Sequence, residues 1–143
     1  MKVEIFTLCD FANTDAAGKL NVLGSFDRIN ASTMPLVYPL CCLAIKIRFE
    51  RLEEGPKMIR IAFIDADGNQ VMRVDAQMHV QFQPGESSAT APLVIGMPQI
   101  KLSNFGDYLI DLAVDGRQEA SIPLFVRQVA QPPQSSPPIA PIS

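Results

Sequence analysis

The sequence predicts an all-β protein, an antiparallel sandwich of two sheets with about eight strands in an immunoglobulin-like or Greek-key arrangement. Apolar and polar residues alternate along several segments, most clearly over 41–50 and 70–83. Clusters of turn residues such as PGESS at 84–88 separate these segments, and no segment has a convincing helical period. Many short strands divided by turn signals are typical of sandwiches and barrels.

The composition predicts one domain followed by a tail. The chain has 143 residues, which fits a single β-sandwich domain over residues 1–129. Residues 130–143 (AQPPQSSPPIAPIS) are proline-rich and favour an extended polyproline conformation, so they form the predicted C-terminal tail.

Charge disfavours two classes of partner, and the N-terminal pattern and the cysteine content predict where the protein is located. The net charge of -3 disfavours nucleic acid and anionic membrane, because both reward a basic surface. The N-terminal segment MKVEIFTLCDF lacks the pattern of a signal peptide, and no apolar run is long enough for a membrane helix. We therefore expect a cytoplasmic protein, and the three cysteines, without metal-ligand spacing, agree with this.

The first strands are predicted at 2–10 and 19–27, on either side of a polar loop. In the next strand, 41–50, Cys41 and Ile45 belong to the apolar row, whereas Cys42, Ala44 and Lys46 belong to the row expected to face outward.

A hairpin is predicted over residues 57–83. A type I′ turn at Asp67-Gly68 places Phe63 opposite Met72, and both are apolar. The same register places Ile61 opposite Val74. The second strand is long, so we expect it to bend and to cross between the two sheets.

The final hairpin, 107–127, has a mismatch in its pattern. Its apolar rows are both even-numbered, yet a two-residue turn at Asp115 and Gly116 would place even residues opposite odd ones. Either a three-residue loop or a β-bulge restores the register, with Leu112 opposite Ala120. Pro123 cannot donate to a ladder, so this strand is expected to be an edge there.

A tyrosine corner is predicted where this hairpin begins. Tyr108 follows Gly106 by two positions and enters a strand, so its hydroxyl can bond to backbone a few residues upstream.

Five segments of the sequence resemble a family of small bacterial proteins of unknown function. They are FTLCDFA (6–12), GKLNVLGSFD (18–27), IKIRF (45–49), FIDADG (63–68), and GDYLIDLAVDG with IPLFV (106–116 and 122–126). The resemblance covers residues 1–127 and implies a β-sandwich from a bacterium. It implies no activity, cofactor or catalytic residue.

Residues with catalytic potential are better explained by packing or solvation. His79 falls in the outward row of its strand, without a partner nucleophile or acid. Cys9, Cys41 and Cys42 are interpreted as packing residues. No catalytic site, metal or cofactor is therefore expected, and the protein is predicted not to be an enzyme.

Two binding hypotheses remain. Asp65 and Asp67 are typical of a turn, but they also permit a calcium site at one end of the sandwich, as in C2 domains. A second hypothesis is an anion or partner patch on one sheet face. Its four residues are Lys46, Arg48, Arg60 and Arg73.

The leading hypothesis is a non-enzymatic protein–protein interaction module. Its contacts would be the edge strand carrying Pro123 or the proline-rich tail, where Pro138-Ile139-Ala140-Pro141 matches a PxxP pattern. Assembly with further copies of the chain is left open. The alternative is a ligand- or calcium-binding C2-like module that uses loops at one end of the sandwich.

Overall fold

The computed structural model describes residues 1–130, and these form two packed β-sheets. The tail predicted at 130–143 lies outside the described residues, apart from Ala130. The nine strands are β1 (Lys2–Thr14), β2 (Leu20–Ser25), β3 (Arg28–Ala31), β4 (Leu36–Glu50), β5 (Gly55–Ile64), β6 (Gln70–Val80), β7 (Ser88–Leu102), β8 (Gly106–Val114) and β9 (Arg117–Gln128). One short 3-10 helix follows β4 at Arg51–Glu53. Within residues 1–130, no helix is long and apolar enough to cross a membrane.

The two sheets have the strand orders β2-β1-β4-β7 and β3-β9-β8-β5-β6. Within the second order, β9-β8-β5-β6 follows the order G-F-C-C′ of variable-type immunoglobulin domains, and β3 adds a further strand beside β9. The predicted all-β sandwich is therefore confirmed, with nine strands instead of eight. It is not wholly antiparallel, because the chain crosses between sheets after β2 and β3 then runs parallel to β9.

The main core lies between the sheets and consists of the inward rows of both. Phe49 and Phe63 are fully buried there, one from each sheet. The other large, fully buried side chains are Leu8, Leu43, Ile45, Ile47, Ile59, Ile61, Met97, Ile100, Leu102 and Ile110. Period-two alternation in β4, β5 and β8 places their members of this set on one face, whereas Leu8 comes from β1 and Met97, Ile100 and Leu102 come from β7.

The predicted register of the β5–β6 hairpin is confirmed, but its predicted turn is wrong. Phe63 pairs with Met72, as expected. The turn is not type I′, because the Gly68 N–H donates to the Asp65 carbonyl and only Gly68 has a positive φ, 85°. A register shift beside Phe63 compensates for the longer loop, and burial of the apolar rows fixes the pairing.

Strand β6 does not cross between the sheets, so that prediction is wrong. It pairs with β5 along its length and forms the edge of the five-stranded sheet. It ends at Val80, and the polar segment after it leads to β7. The apolar row of β6 already packs against the main core from the five-stranded sheet, so burial of this row does not require the strand to cross to the other sheet.

The final hairpin resolves its mismatch by a β-bulge. Val114 pairs with Arg117 across a two-residue turn in which Asp115 and Gly116 have φ angles of 51° and 83°. These positive values are those of a type I′ turn. The register then shifts after Ala113, so that Leu112 pairs with Ala120. The bulge alternative is therefore confirmed, with even residues opposite even residues beyond it.

The β1–β2 hairpin packs over the outer face of the four-stranded sheet, which the sequence analysis did not anticipate. Leu20 packs against a second small core formed by Cys9, Ala12, Cys42 and Ala44. Gly18 and Lys19, in the turn of the hairpin, line a recess together with outward residues of β1, β4 and β7. Cys42 and Ala44, expected to face solvent, are therefore buried.

Truncation after Val129 should leave the free energy of unfolding within about 0.5 kcal/mol of the full chain. The Val129 N–H already donates to the Ala31 carbonyl, at 3.0 Å, so the described sheet is complete at that residue. A urea melt of the full and truncated chains checks this. A markedly lower midpoint for the truncated chain would mean that the tail belongs to the fold.

Candidate functional site

One lateral side of the sandwich is bordered by two strand segments with an unpaired edge. Among the described residues, β2 pairs only with the second half of β1, starting at Cys9, and the crossover after β2 bonds to Leu8, so residues 2–7 have β4 alone as a neighbour. In the five-stranded sheet, β3 pairs with β9 only from Phe125 onward, so within residues 1–130 the segment 117–124 has β8 alone as a neighbour. These two edges belong to opposite sheets and lie on the same side, because β2 and β3 are joined directly.

A cleft of about 420 Å³ lies between these edges, and we call it the lateral cleft. Residues from β1, from the β2–β3 crossover and from β9 line it. They are Phe6, Thr7, Leu8, Ser25, Phe26, Asp27, Ile122 and Pro123. Apolar side chains therefore supply much of its surface, while Asp27 and Ser25 are exposed and supply polar groups.

The crossover is fixed to both sheets by its backbone. The Phe26 N–H donates to the Leu8 carbonyl at 2.9 Å, and the Phe125 N–H donates to the Asp27 carbonyl at 2.8 Å. The Phe26 ring contacts Tyr38, with centroids 5.7 Å apart. This end of the lateral cleft is therefore held by hydrogen bonds to both strands.

Strand β9 is an edge strand at Pro123, as predicted, because β3 pairs with it only from Phe125 onward. Successive N–H groups of a strand point to opposite sides, and the Phe125 N–H points toward the crossover. The nitrogen of Pro123 therefore lies on the unpaired side and has no hydrogen to donate. Proline there limits pairing of this edge with a further strand.

The predicted basic patch does not exist as one surface. Lys46 and Arg48 lie on β4, whereas Arg60 and Arg73 lie on β5 and β6, in the other sheet. The sequence pattern assigned an outward face to each strand but could not assign the strands to sheets.

In each half of that patch, one carboxylate pairs with both cations and offsets part of their charge. Glu4 lies 2.8 Å from the Arg48 guanidinium and 3.9 Å from the Lys46 ammonium. Asp75 pairs in the same way with Arg60 and Arg73. Arg48 and Arg73 hold the pKa of Glu4 and of Asp75, respectively, below the ordinary values.

Asp65 and Asp67 lie at one end of the sandwich, in the β5–β6 turn. One oxygen of Asp65 accepts hydrogen bonds from the N–H groups of Asp67 and Asn69, at 3.0 and 2.8 Å, so this carboxylate stabilises the turn. A recess of about 200 Å³ beside them is also lined by Asn104 and Tyr108. Within residues 1–130, no group of three or more His, Cys, Asp or Glu side chains is placed to hold a metal ion.

The predicted tyrosine corner has the expected geometry. The Tyr108 hydroxyl donates to the Asn104 carbonyl at 2.7 Å, four residues upstream, and the residue is 3% exposed. Burial raises the pKa of Tyr108 above its ordinary value. Gly106 begins the strand that carries this tyrosine.

Tyr108→Phe should lower the free energy of unfolding by about 1 kcal/mol or more, since it leaves the Asn104 carbonyl without this donor. Tyr38→Phe is the matched control, because the Tyr38 ring contributes packing against Phe26. Urea melts of the two variants measure the difference. Equal midpoints for Tyr108→Phe and the unmodified chain would show that the corner does not stabilise the fold.

Asp115 fixes the β8–β9 turn to β5. Its N–H donates to the Met58 carbonyl and its carboxylate accepts from the Met58 N–H, both at 2.8 Å. The interpretation of Asp115 and Gly116 as structural residues agrees with these contacts.

The remaining candidates are dispersed. His79 is exposed on β6, opposite Pro56. Cys9, Cys41 and Cys42 are all buried and free. Sequence reasoning identified Pro123 but missed the other residues of the lateral cleft, because no pattern shows where β2 leaves its sheet.

Two solved structures from Pseudomonas were found by structural similarity. One is the alkylpurine DNA glycosylase AlkC of Pseudomonas fluorescens, bound to DNA containing an abasic site analogue, with a TM-score of 0.49 and 11% identity. The match covers 88% of this chain but only 30% of AlkC. The other is an immunoglobulin-like protein of Pseudomonas aeruginosa, with a TM-score of 0.34, 10% identity and coverage of 88% and 95%.

The sequence itself assigns the family. A search of curated proteins found no match. A family model described as "Family of unknown function (DUF6941)" matches residues 4–127, nearly the whole of the described sandwich. The chain belongs to this family of unknown function.

Proposed function

We propose that the domain is a non-enzymatic protein-interaction module that binds an extended segment of another protein in the lateral cleft. The observation that carries this proposal is the pair of unpaired edges, 2–7 of β1 and 117–124 of β9, with a cleft between them that is lined by both apolar and polar groups. Extended peptides are commonly recognised at sheet edges, where main-chain groups give affinity and pockets give specificity.

The cleft favours a segment with one large apolar side chain. Phe6, Phe26 and Ile122 are partly buried around it, and a volume of about 420 Å³ accommodates such a side chain together with adjoining backbone. Apolar burial of this kind contributes about 1.5–3 kcal/mol for a large side chain. Because Pro123 removes one donor from the β9 edge, the segment is expected to make most of its main-chain bonds to the β1 edge and to bind reversibly.

The alternative function, a calcium-dependent module at the Asp65 end, is not proposed. One carboxylate oxygen of Asp65 already accepts hydrogen bonds from two backbone N–H groups. These contacts explain the residue as part of a turn.

Selection from a displayed library of random twelve-residue peptides tests the proposal. We expect the selected peptides to share one large apolar residue, and Ser25→Phe to weaken their binding at least tenfold by filling the cleft. Ser25 is exposed, so this change adds volume without entering the main core.

Ser103→Phe is the matched control, because Ser103 is an exposed serine that does not line the cleft. It should bind the selected peptides as the unmodified chain does. Failure to select any peptide, or equal weakening by both variants, would contradict the proposal.

A further inference from the structure

Cys9 and Cys42 occupy directly opposite positions on the neighbouring strands β1 and β4. Both side chains lie in the second core, against which Leu20 of β2 packs. Their residues have exposed fractions of 0% and 7%. The Cys9 thiol is directed at the other residue, since it donates to the Cys42 carbonyl at 3.5 Å.

The spacing of opposite residues suits a covalent bridge. Directly opposite residues of an antiparallel pair have Cα atoms about 4.5–5.5 Å apart. Disulfides span Cα separations of about 4.4–6.8 Å. Rotation of the two side chains, together with a small approach of the two Cβ atoms, is therefore enough to bring the sulfur atoms together.

The third cysteine, Cys41, lies on the opposite face of the four-stranded sheet from Cys9 and Cys42. Cys41 belongs to the main core, whereas its neighbour Cys42 belongs to the second core. The body of the four-stranded sheet separates the two cores, so the Cys41 thiol points away from both other thiols.

We propose that Cys9 and Cys42 form a thiol-oxidation site that closes a cross-strand disulfide by exchange with a low-molecular-weight disulfide such as oxidised glutathione. The Cys42 thiolate, from the more exposed residue, attacks one glutathione sulfur and expels the other glutathione as a thiolate. The Cys9 thiolate then attacks the Cys42 sulfur and expels the second glutathione. Two electrons pass to glutathione, and the two protons of the cysteines end on the two glutathione thiols.

The reaction requires a transient opening of the β1–β2 hairpin. Both thiols are buried, and burial raises the pKa of Cys9, which keeps it protonated at neutral pH. Local opening exposes the thiols and permits ionisation. Oxidation is therefore slow, and the disulfide, once formed, is shielded from reductants by the closed hairpin.

The bridge fixes β1 to β4 and joins residues that lie 33 positions apart. A cross-link of this length restricts the unfolded chain, so the oxidised protein resists unfolding more than the reduced protein. It also fixes the strand whose first half forms one border of the lateral cleft.

The test is equilibration of the full chain with oxidised glutathione, in buffer and in a sub-denaturing concentration of urea. We expect loss of two of the three thiols, no new dimer, and a higher urea midpoint that returns to its original value after reduction. Peptide mapping without reduction should link the fragment containing Cys9 to the fragment containing Cys41 and Cys42.

Three single variants identify the linked pair. Cys41→Ala should form the link as the unmodified chain does, whereas Cys9→Ala and Cys42→Ala should not form an intramolecular disulfide. Three free thiols after both equilibrations would overturn the proposal. A link in Cys42→Ala, or disulfides only between chains, would overturn it as well. If either alanine variant fails to fold, fragmentation of the linked peptide from Cys41→Ala decides the assignment.

Discussion

Ile110→Asp is expected to lower the free energy of unfolding by about 4 kcal/mol or more, enough to abolish folding of a marginally stable domain. Ile110 lies on β8, is 0% exposed and belongs to the main core. The substitution removes apolar burial and places a carboxylate where the main core offers it no cation.

Asp111→Leu is the matched control on the adjacent position. Asp111 lies in the other row of β8, and its carboxylate accepts a hydrogen bond from the Ser121 hydroxyl at 2.6 Å. Both groups are partly accessible to water, so the loss should stay within about 1 kcal/mol. Urea melts measure both variants, and equal damage would contradict the assignment of faces in the final hairpin.

Alkaline pH is expected to destabilise the domain between pH 9 and 12, partly through Cys41. Burial, and to a smaller extent the neighbouring Cys42, Cys9 and Asp10, raise the pKa of this thiol from 9.0 to about 12. Above pH 9 the unfolded chain loses the proton while the folded chain keeps it, so stability falls as the pH rises. For one such group the slope is at most about 1.4 kcal/mol per pH unit.

Cys41→Ala isolates this contribution. The variant should be less stable at neutral pH because a core side chain is shortened, yet its stability should fall less steeply above pH 9. Thermal melts of both proteins from pH 7 to pH 11 measure the two slopes. Parallel curves would show that Cys41 does not keep its proton in the folded state.

Much of the fold could be predicted because burial fixes register more strongly than turn chemistry does. In the β8–β9 hairpin, the even-numbered rows required a bulge, and the register shift after Ala113 supplies it. In the β5–β6 hairpin the pairing of Phe63 with Met72 was right although the turn was not. A sequence shows which residues must share a face, whereas several turns can satisfy that requirement.

The arrangement of strands in space was harder to predict. Alternation shows that Lys46 and Arg60 point away from the core, but it does not show that they lie on opposite sheets. Leu20 packs on the second core, which contains Cys42, because β1 continues to pair with β2 after its pairing with β4 ends at Cys9. The lateral cleft depends on where the chain crosses between the sheets after β2, and this position left no signal in the sequence beyond Pro123.

Site-specific photo-cross-linking tests the central claim, that the lateral cleft binds a segment of another protein, most directly. A photoreactive phenylalanine analogue is placed at Thr7 or at Pro123, both of which line the cleft. The same analogue at Gln77, exposed on the far edge strand β6, serves as the control. After irradiation of cells that express the chain at its native level, we expect one peptide from another protein to be attached at both cleft positions and absent at Gln77. Attachment at all three positions alike, or at none, would contradict the account.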